Sequence, residues 1–316
     1  MNKLVLIPII IGSALLVTGT VIFTVGAVNS SKNDAITNTY DINDAFNKFD
    51  IDLTTSDLSF EKAIDGKAKV VCVEREKQYH EVKVVNNVLS IQYQETTKWY
   101  EKLFSWDFGK RTVTVYLPET TYDVLDIKSS TGQINIPNGF TFSELAVKLS
   151  TGDVDIAADV TGKVGIKSST GNIKLSKANP DQIEIEASTG NINVIDVNAT
   201  NNAFLKASVG YIKTDNFKAK NLNVKVSTGD VTLKNTVIAE HLEVNTSTGD
   251  VNFDASDANT IKVKTDTGRV RGTLLTDKIF YTSTDTGKVD VPKSTTGGLC
   301  EIETDTGDIK ITIKNS

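Results

Sequence analysis

The sequence predicts an all-β protein: a parallel β-solenoid of about ten coils, each of 19–20 residues, with an N-terminal β cap and one N-terminal transmembrane helix. Two observations predict the solenoid. A Ser-Thr-Gly type turn recurs with its glycine at Gly132, Gly152, Gly171, Gly190, Gly210, Gly229, Gly249, Gly268, Gly287 and Gly307, at spacings of 19 or 20 residues. On both sides of that glycine apolar and polar residues alternate, the period of a strand with one buried face. A third observation, an uncharged apolar run near the start of the chain, predicts the helix.

Leu4 to Val28 are 25 residues without a charge. At 1.5 Å per residue the run reaches about 37 Å, enough to cross a hydrocarbon core of about 30 Å with tilt. Lys3 and the amino terminus flank its start, so the positive-inside rule places the N-terminus in the cytoplasm and the rest of the chain outside. The expected location is the cell membrane, single-pass, with an extracytoplasmic C-terminal domain. A cleaved signal peptide is the alternative, with Val25-Gly26-Ala27 as its cleavage site, although the run is longer than a usual h-region. Residues 29–48 are polar and read as a linker.

Residues 49–122 read as a β cap that includes one degenerate copy of the repeat, Asp52 to Phe60. Strand-like runs follow at Lys69–Val73, Glu81–Val85, Val88–Gln94 and Arg111–Leu117. A solenoid needs such a cap, because its first coil otherwise exposes an unpaired edge.

Residues 123–316 are the repeats. Two residues after each glycine stand Ile134, Val154, Ile173, Ile192, Ile212, Val231, Val251, Val270, Val289 and Ile309, all β-branched and apolar. The columns four after, five before and seven before are also mainly apolar, and the residues between are mostly Lys, Glu, Asp and Asn. One such unit cannot bury its face alone; stacked copies bury it continuously. Glycine suits the corner because it takes positive φ without steric cost. A hairpin in each unit, as in a propeller, is the competing arrangement, but blades use four strands and roughly twice this length.

Composition narrows the function. The formal net charge is −6, from 34 Lys and Arg against 40 Asp and Glu. That is not a nucleic-acid binder, which presents a basic face to phosphate. The two cysteines are too few for a disulfide scaffold. Cys300 occupies an inward column and Cys72 lies in the run Val70-Val71-Cys72-Val73, so both read as core thiols. The two histidines, His80 and His241, are far apart in sequence, and any His-based catalysis or zinc site has to draw on them.

Two places depart from uniformity. Residues 97–111 hold both tryptophans, and Trp99, Tyr100, Phe104, Trp106 and Phe108 stand among Lys and Arg. Aromatics beside cations suit a partner hot spot or a membrane interface; the plainer reading packs them over the open end of the solenoid. The residue two before the glycine is Ser in seven coils and then Asp266, Asp285 and Asp305. Stacked carboxylates about 5 Å apart repel and need a cation or cationic neighbours. Calcium is one option, with Asp266, Asp285 and Asp305 as ligands, since it takes hard oxygen donors. A face compensated by Arg269 and Lys288 is the other. A second acidic set, Asp153, Asp230, Asp250 and Asp308, directly follows glycines.

The apolar N-terminal run, the strand-rich cap and the Ser-Thr-Gly-Asp-Val/Ile repeat together resemble the "putative-adhesin" β-strand-repeat family of unknown function, common in Gram-positive bacteria. The resemblance covers nearly everything after about Phe49. It implies a membrane-anchored envelope protein acting as a non-enzymatic binding or scaffold module, with no catalytic residues and no cofactors. The expected partners are the membrane, through the helix, and an envelope protein or a wall or glycan polymer. The alternative is a regulatory component of a cell-envelope stress response. A third reading, a polysaccharide-active β-helix enzyme, lacks a distinctive carboxylate pair in any coil.

Overall fold

Each coil opens on a strand whose inward row comes seven, five and three residues before its glycine. In Lys163–Thr170 these are Val164, Ile166 and Ser168, all buried, while Lys163, Lys167 and Ser169 face solvent. After Gly171 the strand Ile173–Ser176 buries Ile173 and Leu175. The alternation read in the sequence is therefore the pleat itself. In this computed structural model, which describes residues 23–25, 35–96 and 111–314, the long repetitive elements are all strands.

Copies of the first strand pair in parallel and in register: Leu145 with Val164, Val164 with Ile183, and Ile183 with Ala203. The strands after the glycine do the same, Val154 with Ile173 and Ile173 with Ile192. Each inward position thus becomes a column of aliphatic side chains along the rod. The solenoid, not the propeller, is the arrangement adopted.

The glycine corner has a sharper cause than turn preference. At Gly152 (φ 133°) an added Cβ would stand 1.9 Å from the carbonyl oxygen of Gly132, and at Gly171 (φ 135°) 1.9 Å from that of Gly152. Neighbouring coils touch there backbone to backbone, so a side chain is excluded. A second corner, six residues after the glycine, holds Asp196, Asn216 and Asn235 at φ of 54°, 52° and 45°. Asp and Asn tolerate this left-handed conformation better than other non-glycine residues.

The coils do not stack wholly in chain order. At the C-terminal end the strand of the Gly268 coil pairs with Gly298–Thr306, Ile261 opposite Cys300. The same strand Gly298–Thr306 pairs on its other side with Lys278–Thr286, Cys300 opposite Phe280. The last coil in sequence is therefore inserted between the two before it, and the Gly287 coil is the outer edge. This corrects the sequential stacking expected from the repeat.

The N-terminal end mirrors this. Lys48–Thr55 lies between Val88–Glu95 and Thr121–Thr131, parallel to both. Asp57–Lys62 likewise lies between Thr112–Leu117 and Ile134–Ile136. Two further coils thus precede the first glycine coil, in the reverse of chain order. Two capping strands, Lys69–Glu74 and Gln78–Val85, joined by a tight turn closed at Arg75 and Gln78, cover them by pairing antiparallel with Thr112–Leu117 and Val88–Glu95. An aromatic layer fills the junction, with Phe49 5.1 Å from Tyr122 and 6.0 Å from Phe60, ring centre to ring centre.

Strand Ile36–Asp41 falls in the segment expected as linker and pairs antiparallel with Lys69–Glu74. Its alternate residue Tyr40 is buried, which the surrounding Asn, Asp and Thr concealed. Most of the expected membrane span lies outside the described residues; within it, Phe23–Val25 forms a strand antiparallel to Asn38–Tyr40. Among the described residues no helix is long and apolar enough to cross a membrane. Both cysteines are free and buried, and burial pushes the Cys300 thiol up to about 12.

The C-terminal insertion is clamped by charge. Lys278, at the start of the outer coil, reaches Asp257 at 2.6 Å, with side-chain exposures of 3% and 9%. The intervening strand begins with Gly298, where a Cβ would lie 1.7 Å from the carbonyl oxygen of Asn259. Thr276 donates to the other carboxylate oxygen of Asp257 at 2.7 Å, and the N–H of Ala258 donates to Oδ1 at 2.7 Å. Removing one partner of a buried pair leaves an uncompensated charge. Lys278→Met is therefore expected to cost about 3–5 kcal/mol in urea unfolding, and adding Asp257→Leu to recover most of it. Hydrogen exchange should place the loss in residues 298–313; equal loss along the whole rod would refute the clamp.

Candidate functional site

The first strand of every coil lies in one sheet, so its outward residues build a single lateral face. Four residues before the glycine stand Lys128, Lys148, Lys167, Lys206, Lys225 and Lys264, all exposed, interrupted by Glu186 and Asn245. Two residues further on, Ser130, Ser150, Ser169 and Ser188 form a hydroxyl row beside them. Shallow hollows of about 460 and 260 Å³ follow this stripe. The parallel ladder spaces such residues at about 4.8 Å per coil. A basic, hydroxyl-lined stripe thus runs along a chain whose net charge is −6.

Part of that charge is already paired. Lys167 contacts Glu184 and Glu186, each at 2.7 Å, and these hydrogen bonds hold its ammonium above the ordinary lysine range. Lys128 meets Asp126 at 3.6 Å and Lys206 meets Glu186 at 3.7 Å. These pairs are exposed and contribute little to stability.

On the same face lies a groove of about 490 Å³ over the middle coils. Phe204 is half-buried in it, with Asn221, Asn223, His241 and Glu243 around it. The groove exists because successive residues in one outward column differ in size, Gly165, Glu184, Phe204 and Asn223. Asn223 donates to Glu243 at 2.7 Å and Asn221 to Asn202 at 2.9 Å. An aromatic surface with convergent amides is the composition of a ligand groove.

The acidic residues that follow glycines have a structural task. Asp153 Oδ1 accepts the backbone N–H of Asn172 in the next coil at 2.7 Å, Asn172 Oδ1 accepts that of Asn191 at 3.1 Å, and Asp230 Oδ1 accepts that of Asp250 at 2.8 Å. Asp308 does this for Lys288 at 2.8 Å, across the reordered end. Each side chain satisfies a turn N–H that the ladder leaves open. At Asp250, burial opposes ionisation, but Arg269, bonded through Nε and Nη2 at 3.1 and 2.8 Å, wins and holds the carboxyl below its usual range.

Asp266, Asp285 and Asp305 are exposed, and the reordering stacks them as Asp266, Asp305, Asp285. Their cationic neighbour is Lys264, whose ammonium is held above its usual range first by Glu303 and then by Asp305 and Asp266. Arg269, expected in that role, is engaged by Asp250.

The cap holds a constellation the sequence reading missed. Glu74 and His80 are 1% and 0% exposed. Glu74 Oε2 lies 3.0 Å from His80 Nδ1, and His80 Nε2 lies 3.2 Å from Ser56 Oγ. Asn38 Nδ2 donates to Glu74 Oε1 at 2.5 Å, and the backbone N–H of His80 donates to Oε2 at 2.7 Å. Cys72 lies alongside; among the described residues, Cys72, Glu74 and His80 are the group of possible metal ligands whose donor atoms all fall within 4.8 Å of one another. The order Ser–His–carboxylate is that of a hydrolase relay. Ser56, however, is 1% exposed, so no substrate carbonyl reaches it. Cys72-Val73-Glu74 followed by His80 has no recognised ligand spacing, and only the fold of the two capping strands brings these side chains together.

Trp99, Tyr100, Phe104, Trp106 and Phe108 lie outside the described residues.

Asp153→Ala is expected to lower stability by about 0.5–1.5 kcal/mol, the loss of one hydrogen bond at a partly wet turn. Urea midpoints should fall equally in calcium and in chelator; a loss confined to calcium-containing buffer would make Asp153 a ligand.

With the geometry in place, relatives can be compared. The model of the Toastrack DUF4097 family matches residues 46–203, 158–238 and 181–316. A "putative lipid binding protein" from Parabacteroides distasonis is 16% identical, with a TM-score of 0.51 over 87% of this chain and 97% of that one. A "putative adhesin" from Parabacteroides merdae is 14% identical, with a TM-score of 0.50 over 88% and 96%. At such identities the two structures share the fold alone. No curated protein matches the chain. The matched stretches together run from residue 46 to residue 316, and the chain belongs to the Toastrack DUF4097 family.

Proposed function

We propose that the chain is a membrane-anchored, extracytoplasmic and non-enzymatic binding module of the cell envelope, whose lateral face engages an extended anionic wall or glycan polymer. The observation that carries this reading is the Lys and Ser stripe, repeated in register from Lys128 to Lys225. A ligand that repeats along its length can meet equivalent groups coil after coil, and many weak contacts then add. The apolar run Leu4–Val28 supports the anchor, and the burial of Ser56 and His80 supports the absence of hydrolysis.

The test is retention of the full-length protein on isolated wall polymer across a salt series. The triple variant Lys128→Gln, Lys148→Gln, Lys167→Gln should bind at least about tenfold more weakly and with a shallower salt dependence. Unchanged retention by the variant would sink the assignment of this face.

A regulatory role in an envelope stress response is the second reading, favoured by one observation: both tryptophans and three further aromatics fall together in the sequence between Val88–Glu95 and Thr112–Leu117, outside the uniform repeats. Deleting residues 97–110 should then abolish the stress phenotype while leaving polymer retention intact.

A further inference from the structure

The capping strands Lys69–Glu74 and Gln78–Val85 turn three metal-ligating side chains into the interior. In the first strand Val70, Cys72 and Glu74 point inward, and His80 does so on the return strand. In the glycine coils the inward rows are mainly Val, Ile and Leu, which pack without polar partners. Withdrawing a carboxylate and an imidazole from water costs several kcal/mol per ion if charged, a cost the neighbouring layers avoid. Stability alone therefore does not account for this trio.

We propose that Cys72, Glu74 and His80 form a structural site for a zinc-class divalent cation in the cap, independent of the lateral face and of the binding role above. Thiolate, imidazole and carboxylate together suit a borderline ion such as zinc, whereas calcium and magnesium take oxygen donors. Donor atoms around tetrahedral zinc stand about 3.3–3.8 Å apart, given bonds of about 2.0–2.3 Å. Here the Glu74–His80 separation is 3.0 Å and every pair in the trio is within 4.8 Å. Side-chain rotations of about 1 Å bring the three onto one ion, with a water as fourth ligand.

The supporting contacts a metal centre requires are present. Ser56 Oγ, 3.2 Å from His80 Nε2, fixes the ring so that Nδ1 faces Glu74. Asn38 on Oε1 and the His80 amide on Oε2 orient the carboxylate. Such outer partners are what set ligand geometry and affinity. They come from three separate segments, so the ion would tie strand Ile36–Asp41 and the Ser56 corner to the two capping strands.

The test uses the full-length protein in detergent, stripped with chelator and titrated with cobalt(II). One equivalent should bind, produce a thiolate-to-cobalt charge-transfer band, and be displaced by zinc. Thermal stability should rise with zinc and fall with chelator. With only two cysteines in the chain, the band should survive Cys300→Ala and vanish in Cys72→Ala. Asn38→Ala should weaken the metal by about 10–100-fold. The proposal is overturned if the wild-type protein binds no stoichiometric cobalt or zinc, or if the band persists without Cys72. The wild-type titration decides the matter even where the Cys72 variant does not fold.

Discussion

Where two coils meet at a glycine, the carbonyl oxygen of one occupies the place a Cβ would need in the next, 1.9 Å away at Gly152, Gly171 and Gly190. Only glycine lets the coils approach here to the spacing that their ladder hydrogen bonds demand. Once that spacing is fixed, the rest follows from register. Inward columns become continuous aliphatic stacks, outward columns become rows of like residues, and the residue after each glycine falls within reach of the next coil's N–H. The Asp and Asn in that column are consequences of the corner: a short side-chain oxygen accepts a turn N–H that the ladder does not serve.

A stack of identical coils has two ends, and an unpaired β edge invites further pairing. Both ends solve this by leaving chain order. Lys48–Lys62 is held between layers that follow it in sequence, and Gly298–Ile313 is slotted under the layer that precedes it. A terminal segment bonded on both sides cannot peel from the rod without opening its cover. The exposed edge left at the C-terminal end is the coil around Gly287, whose strand Val289–Asp290 is short and is followed by Pro292, features that discourage further pairing.

Buried charge is concentrated at these two ends. Lys278 and Asp257 sit at the reordered C-terminal layers, and Glu74 and His80 at the cap. The uniform coils between carry only hydroxyls inside, such as Thr214 and Thr236, 2.7 Å apart. The physical reason is periodicity: a repeated inward position must accept the same chemistry in each layer, whereas an end meets a different neighbour and can hold a specific polar contact. Outward positions are free of that limit, and there the Lys and Ser stripe and the Phe204 groove give the rod its distinguishable surface.

The repeat, the inward columns, the glycine corner and the core setting of Cys300 are written in the sequence, because each is a local alternation or a fixed spacing. A second corner was legible too, in the Asp196, Asn216 and Asn235 column, but went unread because Lys177 and Ala255 blur it. The lysine column is equally plain in the sequence once the repeats are aligned, although the net charge of −6 conceals it in the composition. Only the tertiary structure decided the order of the coils, since Gly287 and Gly307 have equivalent motifs and nothing local says which follows Gly268. Likewise it alone brought Ser56, Cys72, Glu74 and His80 together. Cys72, Glu74 and His80 meet across one turn and Ser56 reaches His80 from another layer, contacts that depend on how the chain returns to the stack, which no local spacing encodes.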